Sequence, residues 1–356
     1  MVFRSKNSLN KRGKIPLALI LFAFIAILFA FYTVSFSTFR NDTMRDEQIP
    51  PTPSPAPASP VTMVFVGDIM LDRGVRASVV KNLGGDYGKL FEHTGYLADA
   101  DIAFANLEGP VGTTGTRSGS KFSFLMDPAG LTAVAGAGFD VVSFANNHIG
   151  DYSRSAFLQS LDHLKENNIL YAGAGEDERD ASTPRIITVR GMRIGFLAAS
   201  DVGPPWMKAT ANDPGILLAD DPNLPQIIAD AKAQVDILVM SFHFGIEYSL
   251  VTERQKTLAH MAIDSGADIV VGAHPHVMQA VETYHDKPIF YGLGNFIFDQ
   301  YFSPHTLEGM VAEVSIDPTT DAITATEEVS QQDKYFVPQP LAPFDDSMLI
   351  AKPFTP

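Results

Sequence analysis

Asp268-Ile-Val-Val-Gly-Ala-His274-Pro-His276 decides how this chain is read. An uncharged run rich in Val and Ile stands between a carboxylate and two imidazoles one residue apart. A continuous apolar run of this kind reads as a strand buried on both faces. Working outward, the pattern recurs as Asp101-IAFA-Asn106-Leu-Glu108, Asp140-VVSFA-Asn146-Asn147-His148 and Asp236-ILVMSF-His243. A further run, Met63-VFVG, ends in Asp68 without a leading Asp. Ligands of open α/β sheets bind just beyond the carboxyl ends of the strands. These ends are therefore expected to gather Asp68, Asn106, Glu108, Asn147, His148, His243, His274 and His276 into one pocket. That composition suits a divalent metal and metal-assisted chemistry.

Helix signals lie between the runs. Asp127-Pro128 precedes LTAVAGA, where Asp caps and Pro fits the first turn. Ser153-RSAFLQSLDHLKEN repeats Phe157, Leu161 and Leu164 at helical spacing, and Thr252 with Gln255 forms a capping-box pattern. Helices that follow strands imply crossovers and a parallel sheet. After Gly309 the pattern alternates as MVAEVSI, Asp317-PTTD and AITATEEV, which predicts a hairpin and hence a mixed α/β sheet. The recurring Asp-plus-strand pattern is architectural, because no fixed-period repeat accompanies it.

The 356 residues are 46% hydrophobic and 19% charged, which suits a globular body with a large core. The formal net charge of -15 argues against nucleic acid as a partner, since non-specific binding needs a basic face. There are no cysteines, so any metal must be held by His, Asn, Asp or Glu.

The amino-terminal stretch, residues 1–14, carries Arg4, Lys6, Lys11, Arg12 and Lys14. No charge follows over 15–39, and about 20 apolar residues suffice to cross a bilayer. Flanking positive charge keeps the preceding side cytoplasmic. The alternative is a cleaved signal peptide, but its apolar region is shorter, about 7–15 residues, and ends in an A-x-A-like site not seen here. A single-pass signal anchor is expected, with the body outside the cell membrane. Residues 40–61 are Pro-rich and predict an extended spacer. The folded body is expected over 62–336, with a Pro-rich tail over 337–356 wrapping the surface.

Each strand-end residue also has a plainer reading. His274 and His276 pair as hydrogen-bonded loop histidines or as ligands. His243 is a satisfied core histidine or a ligand. Asn146 caps a turn. Glu108 bridges two cations or caps the next turn. Arg73 either pairs locally with Asp72 or serves the pocket.

GDIMLDRG, ANLEGP, SFANNHIGDY, HFGIEY, GADIVVGAHPHVMQAVE and IFYGLGNFIFDQ occur in that order over about 62–310. Together they resemble the capsule-synthesis protein CapA family, which includes the PgsA component of poly-gamma-glutamate synthesis. That family in turn resembles the calcineurin-like metallophosphatases. The resemblance implies a metallophosphatase-like two-sheet sandwich of mixed strands flanked by helices, with one or two divalent ions (Mn, Mg, Fe or Zn). It implies Asp68 as the first-strand ligand and Asn106 or Glu108 at the bridging position. Asn147, His243 and His274 would hold one metal, His276 would point to the other, and His148 matches the general acid. Arg73, Glu247 and Asn295 fall to the substrate side. The implied partners are the membrane, surface-polymer synthase subunits and an anionic polymer. One departure stands out. The metallophosphatase pattern has His two residues after the first Asp, where this chain has Met70, and thioether is a poor ligand for Mn or Mg. Three readings follow: a membrane-anchored component of surface-polymer synthesis or export, an extracytoplasmic phosphoesterase, and a catalytically inactive metal-binding scaffold. Met70 favours the first and third over the second.

Overall fold

The computed structural model describes residues 59–356. The basic tail, the expected membrane anchor and most of the Pro-rich spacer lie outside the described residues. Among the described residues no helix is long and apolar enough to cross a membrane.

In chain order the first strands are β1 (Val61–Ile69), β2 (Ile102–Leu107), β3 (Val141–Ser143), β4 (Leu170–Ala172) and β5 (Ala174–Gly175). Then come β6 (Arg185–Val189), β7 (Met192–Ser200), β8 (Gly215–Ile216), β9 (Ile237–His243) and β10 (Ile269–Ala273). The last are β11 (Val281–Tyr284), β12 (Lys287–Phe290), β13 (Asn295–Ile297), β14 (Glu308–Ile316), β15 (Ile323–Gln331) and β16 (Ala342–Pro343). One sheet runs β16-β15-β14-β1-β2-β3-β4, with β13 also paired to β1. A second runs β11-β12-β10-β9-β7-β6, and β5 pairs with β8. All five apolar runs are strands, and the expected hairpin is the antiparallel pair β14–β15. The sheets are mixed, as expected.

Alternation along the strands builds the layers. Ile194, Phe196, Ile237, Val239, Ile269 and Val271 of the second sheet join Phe65, Phe104 and Val142 of the first in one core. Phe104 stacks on Phe196 with ring centroids 5.8 Å apart. The intervening Leu197, Leu238, Met240 and Val270 face the other way and pack on Ile228, Leu258, Ala259 and Ala262. These last belong to helices Leu224–Lys232 and Glu253–Asp264, the second closed by the expected Thr252–Gln255 capping box. Helices Pro128–Gly136 and Ser153–Glu166 form where periodicity predicts them, and Asp127 accepts from the Ala129 N–H.

The recurring Asp has one mechanical role. Asp101 accepts from the Thr62 N–H at 2.9 Å and Asp140 from Ala103 at 2.9 Å. Asp236 accepts from Arg193 at 2.7 Å and Asp268 from Leu238 at 2.8 Å. Each carboxylate thus reaches sideways to an N–H at the start of the neighbouring parallel strand. Strand starts are thereby aligned, and so are their functional ends.

The folded body begins with the buried Val61. At its far end β16 pairs with β15, and Ile350 packs with Tyr248 and Val277.

Candidate metal centre

The centre is set by a switch of partners on β1. Up to Phe65 the strand pairs antiparallel with β14, whereas at Asp68 it pairs parallel with β13 and β2. Asp68, Asn106 and Asn295 therefore stand side by side. Gly67 permits this. A Cβ there would lie 1.9 Å from the Gly294 carbonyl oxygen, which accepts the Asp68 N–H at 2.9 Å. In the facing sheet, His243 ends β9 opposite Ala273 of β10, so His274 and His276 follow directly. Both adopt left-handed backbone, φ 97° for His274 and 57° for His276. Such strain in non-Gly residues typically marks functional sites.

The polar network is buried. Asp68, Glu108 and His243 have no exposed surface. Asp68 Oδ1 accepts from Asn106 Nδ2 at 2.8 Å, and its Oδ2 lies 3.3 Å from His276 Nδ1. Asn106 Nδ2 also faces His243 Nδ1 at 3.3 Å. His243 Nε2 meets Asn147 Oδ1 at 2.9 Å, and the His243 and His274 rings are 4.8 Å apart. Glu108 Oε1 stands 3.7 Å from both His148 Nε2 and His276 Nε2, yet neither Glu108 oxygen has a hydrogen-bond partner. His274 Nδ1 is likewise buried and unpartnered.

Burial and mutual charge separate the histidines. Burial, then the neighbouring His274, His276 and His148, drive the His243 pKa well below its ordinary value. Burial, with His276 and His148 nearby, lowers His274 to about 3. Burial alone would lower His276 as well, but Glu108 and Asp68 outweigh it and raise it to about 9. Burial raises Glu108 well above the usual carboxylate range, with Asp68 and Glu247 adding to the shift and His276 opposing it.

These features fit a metal. Buried groups normally find partners, and a buried carboxylate and a buried imidazole nitrogen left unpartnered in one network are the exception that calls for a ligand. Asp68, Glu108 and His276 bring their ligand atoms within 4.8 Å of one another, and so do Glu247, His274 and His276. His243 Nε2 and Asn147 Oδ1 are as close as two ligands about 2.1 Å from one ion would be.

The structure brings all eight strand-end residues into this network, and several roles differ from expectation. The Asn106 amide is occupied by Asp68 and by Asn146 at 3.4 Å, whereas both Glu108 oxygens have no hydrogen-bond partner. Asn295, expected on the substrate side, is fully buried behind His276, where its Oδ1 accepts from Nδ1 at 2.9 Å. It orients that imidazole, and its Nδ2 donates to the Thr306 carbonyl at 2.9 Å. Arg73 does not pair with Asp72. Arg73 is bound to Asp299, while Asp72 pairs with Arg76 at 3.3 Å. Arg73 sits 4.6 Å over Phe124 and lines, with Glu247, Tyr248 and His148, a cavity of about 350 Å³ above His276. Met70 is buried, and its thioether accepts the Asp72 N–H at 3.2 Å.

Asp151 was missed by sequence reasoning. Its Oδ2 lies 2.7 Å from His148 Nδ1 and also accepts the Phe124 N–H at 2.9 Å. The Phe124 ring packs 4.0 Å from the His148 ring. The signal available was Asp151 three residues after His148 in SFANNHIGDY.

Two facing mixed sheets with a buried His–carboxylate centre at their strand ends define the class of this protein. The chain belongs to the bacterial capsule synthesis protein family PGA_cap, whose model matches residues 62–300. It is similar to the capsule biosynthesis protein CapA of Bacillus anthracis, 36% identical over 250 residues, 67% of this chain and 60% of that one. It is also similar to the PGA biosynthesis protein CapA of Bacillus subtilis (strain 168), 34% identical over 241 residues, 66% of this chain and 63% of that one. The matched stretch thus spans less than two thirds of either relative. Among solved structures, a 5'-nucleotidase precursor from Thermus thermophilus superposes with a TM-score of 0.46 at 14% identity, covering 79% of this chain and 56% of that one. A likeness this slight says nothing about chemistry.

Proposed function

We propose that this protein acts in capsule polymer synthesis or export outside the cell membrane, and that its divalent-metal centre engages an acidic polymer of the poly-gamma-glutamate type. The unpartnered Glu108 carboxylate beside Asp68 and His276 carries the metal part of this reading. Family membership and the CapA relatives support the polymer part. The basic N-terminus, the apolar 15–39 stretch and the Pro-rich spacer support a single-pass anchor with the body outside and synthase subunits as partners.

Asp68, Glu108 and His276 would hold one cation; Asn147, His243 and His274, with Glu247 near, would hold another. A bound divalent ion supplies a Lewis acid that polarises a carbonyl or phosphoryl oxygen. The chain's own groups prepare the rest. Asp151 accepts from His148 Nδ1, so Nε2 faces the cavity and can take or give a proton there. Asp299 fixes Arg73 at the cavity wall, where it can meet a carboxylate.

The test is genetic and analytical together. Removing the gene from its host should reduce surface polymer, and Glu108→Gln or His274→Ala should fail to restore it while accumulating normally. Elemental analysis of the purified protein should find a divalent metal that the two variants hold more weakly, by at least about tenfold. Undiminished polymer after removal refutes the role, and no metal even on reconstitution refutes the centre. Protease added outside spheroplasts should remove the body, whereas full protection refutes the topology. The His148–Asp151 pair favours a second reading, phosphoester hydrolysis. Brisk phosphodiester hydrolysis by the unaltered protein would put that reading first.

A further inference from the structure

We propose that the two cavities walled by the 147–151 turn together grip one linear acidic chain, so that the ligand is held internally rather than by one end. This rests on the reading that the ligand is the capsule polymer.

A second cavity, of about 360 Å³, adjoins the one above His276. Asn147 and Asp151 line it, whereas His148 between them lines the first. The segment 118–122 walls both, with Ser118 and Ser120 facing the second cavity and Lys121 and Phe122 the first. The two cavities therefore share the 118–122 segment and the 147–151 turn as walls.

Their chemistry differs. The first offers Arg73 and Lys121 among rings, with the Lys121 ammonium 4.9 Å over Phe122. Asp299 and Glu247 offset these cations until a metal adds its charge. The second offers hydroxyls, an amide and the Trp206 indole. Its one carboxylate, Asp151, is already engaged by His148 and the Phe124 N–H. Phe122 is 54% exposed, Phe302 45% and Trp206 45%, so these rings are open to a ligand in the cavities they line. Rings beside cations suit a chain whose repeat places one carboxylate next to methylenes and a planar amide. Carboxylates would meet Arg73 and Lys121, and methylenes and amides would lie on the rings. A ligand recognised only by its end would need one cavity.

Trp206 is the chain's sole tryptophan, so intrinsic fluorescence reports the second cavity directly. The full-length protein in detergent, loaded with Zn²⁺, should be titrated with γ-glutamyl dimers and with progressively longer oligomers. Dimers should bind without moving the emission. Longer oligomers should shift it and bind more tightly until both cavities are filled. By calorimetry, Trp206→Ala should weaken long oligomers by about two- to tenfold and leave dimers and Zn²⁺ unaffected, and Trp206→Phe should largely restore binding. Lys121→Ala should weaken every length. Affinity independent of length together with a silent Trp206 overturns this inference and leaves the polymer reading standing. No binding of any oligomer to the metal-loaded protein overturns both.

Discussion

Metal affinity at this centre should depend steeply on pH, with His276 setting the slope. A cation at Asp68, Glu108 and His276 requires a neutral imidazole. In the metal-free protein Glu108 and Asp68 hold the His276 proton up to a pKa of about 9 against burial. His274, lowered by burial to about 3, and His243, lowered further by burial and its neighbours, are already neutral and add no slope. Below about pH 9, each unit of acidification should therefore weaken binding about tenfold, or about 1.4 kcal/mol. From about pH 8 to about pH 6 the loss is about a hundredfold. Glu108, raised by burial, takes up a second proton at the acid end and steepens the fall. Calorimetry of Zn²⁺ binding in two buffers of unlike ionisation enthalpy counts the protons. About one should be released near pH 7.5, and none well above pH 9. In Glu108→Gln the charge that chiefly raises His276 is gone, so the whole dependence should move to lower pH. Equal affinity at both ends with no proton released would refute this charge arrangement.

Three further outcomes follow from the packing. Asp140→Ala leaves the Ala103 N–H without its partner and should cost about 1–3 kcal/mol by chemical denaturation, more than Asp101→Ala at an exposed strand start. Gly67→Ala drives a Cβ to 1.9 Å from the Gly294 oxygen, so it should displace β13 and abolish metal binding, read by elemental analysis. Met70→His should raise the metal content per chain, and unchanged content would show that position 70 does not face the centre.

Much of this was legible because strand and ligand share one short segment. Asp268-IVVGA-His274-Pro-His276 states both its burial and its chemistry, as do the runs ending at His148 and His243. The leading Asp residues were visible as a pattern but not as a device, since each acts on a strand 30 to 43 residues earlier in the chain. The Arg73–Asp299 pair spans 226 residues, so local reading offered Asp72 in its place. The contact of Asn295 with His276 was hidden for a similar reason. Its GLGNF context marks a turn near the pocket, but only the parallel pairing of β13 with β1 puts it behind His276.

The centre owes its existence to the sheets and burdens them in return. Asp68 comes from β1, Glu108 from beyond β2, Asn147 from beyond β3, His243 from β9, and His274 and His276 from beyond β10. No two neighbouring elements hold a full ligand set, so the site is absent from the unfolded chain. Burying Glu108 disfavours its charged form. The left-handed backbones of His274 and His276 add about 1–3 kcal/mol of strain each. In the metal-free protein the large shared core and the His276 proton held against Glu108 and Asp68 offset these terms. A bound cation would replace that proton and satisfy the orphaned oxygens, which would couple metal binding to folding. The same exchange would turn an acidic pocket into one that an anionic chain can approach, which is how a net charge of -15 fits the proposal of an acidic polymer as ligand.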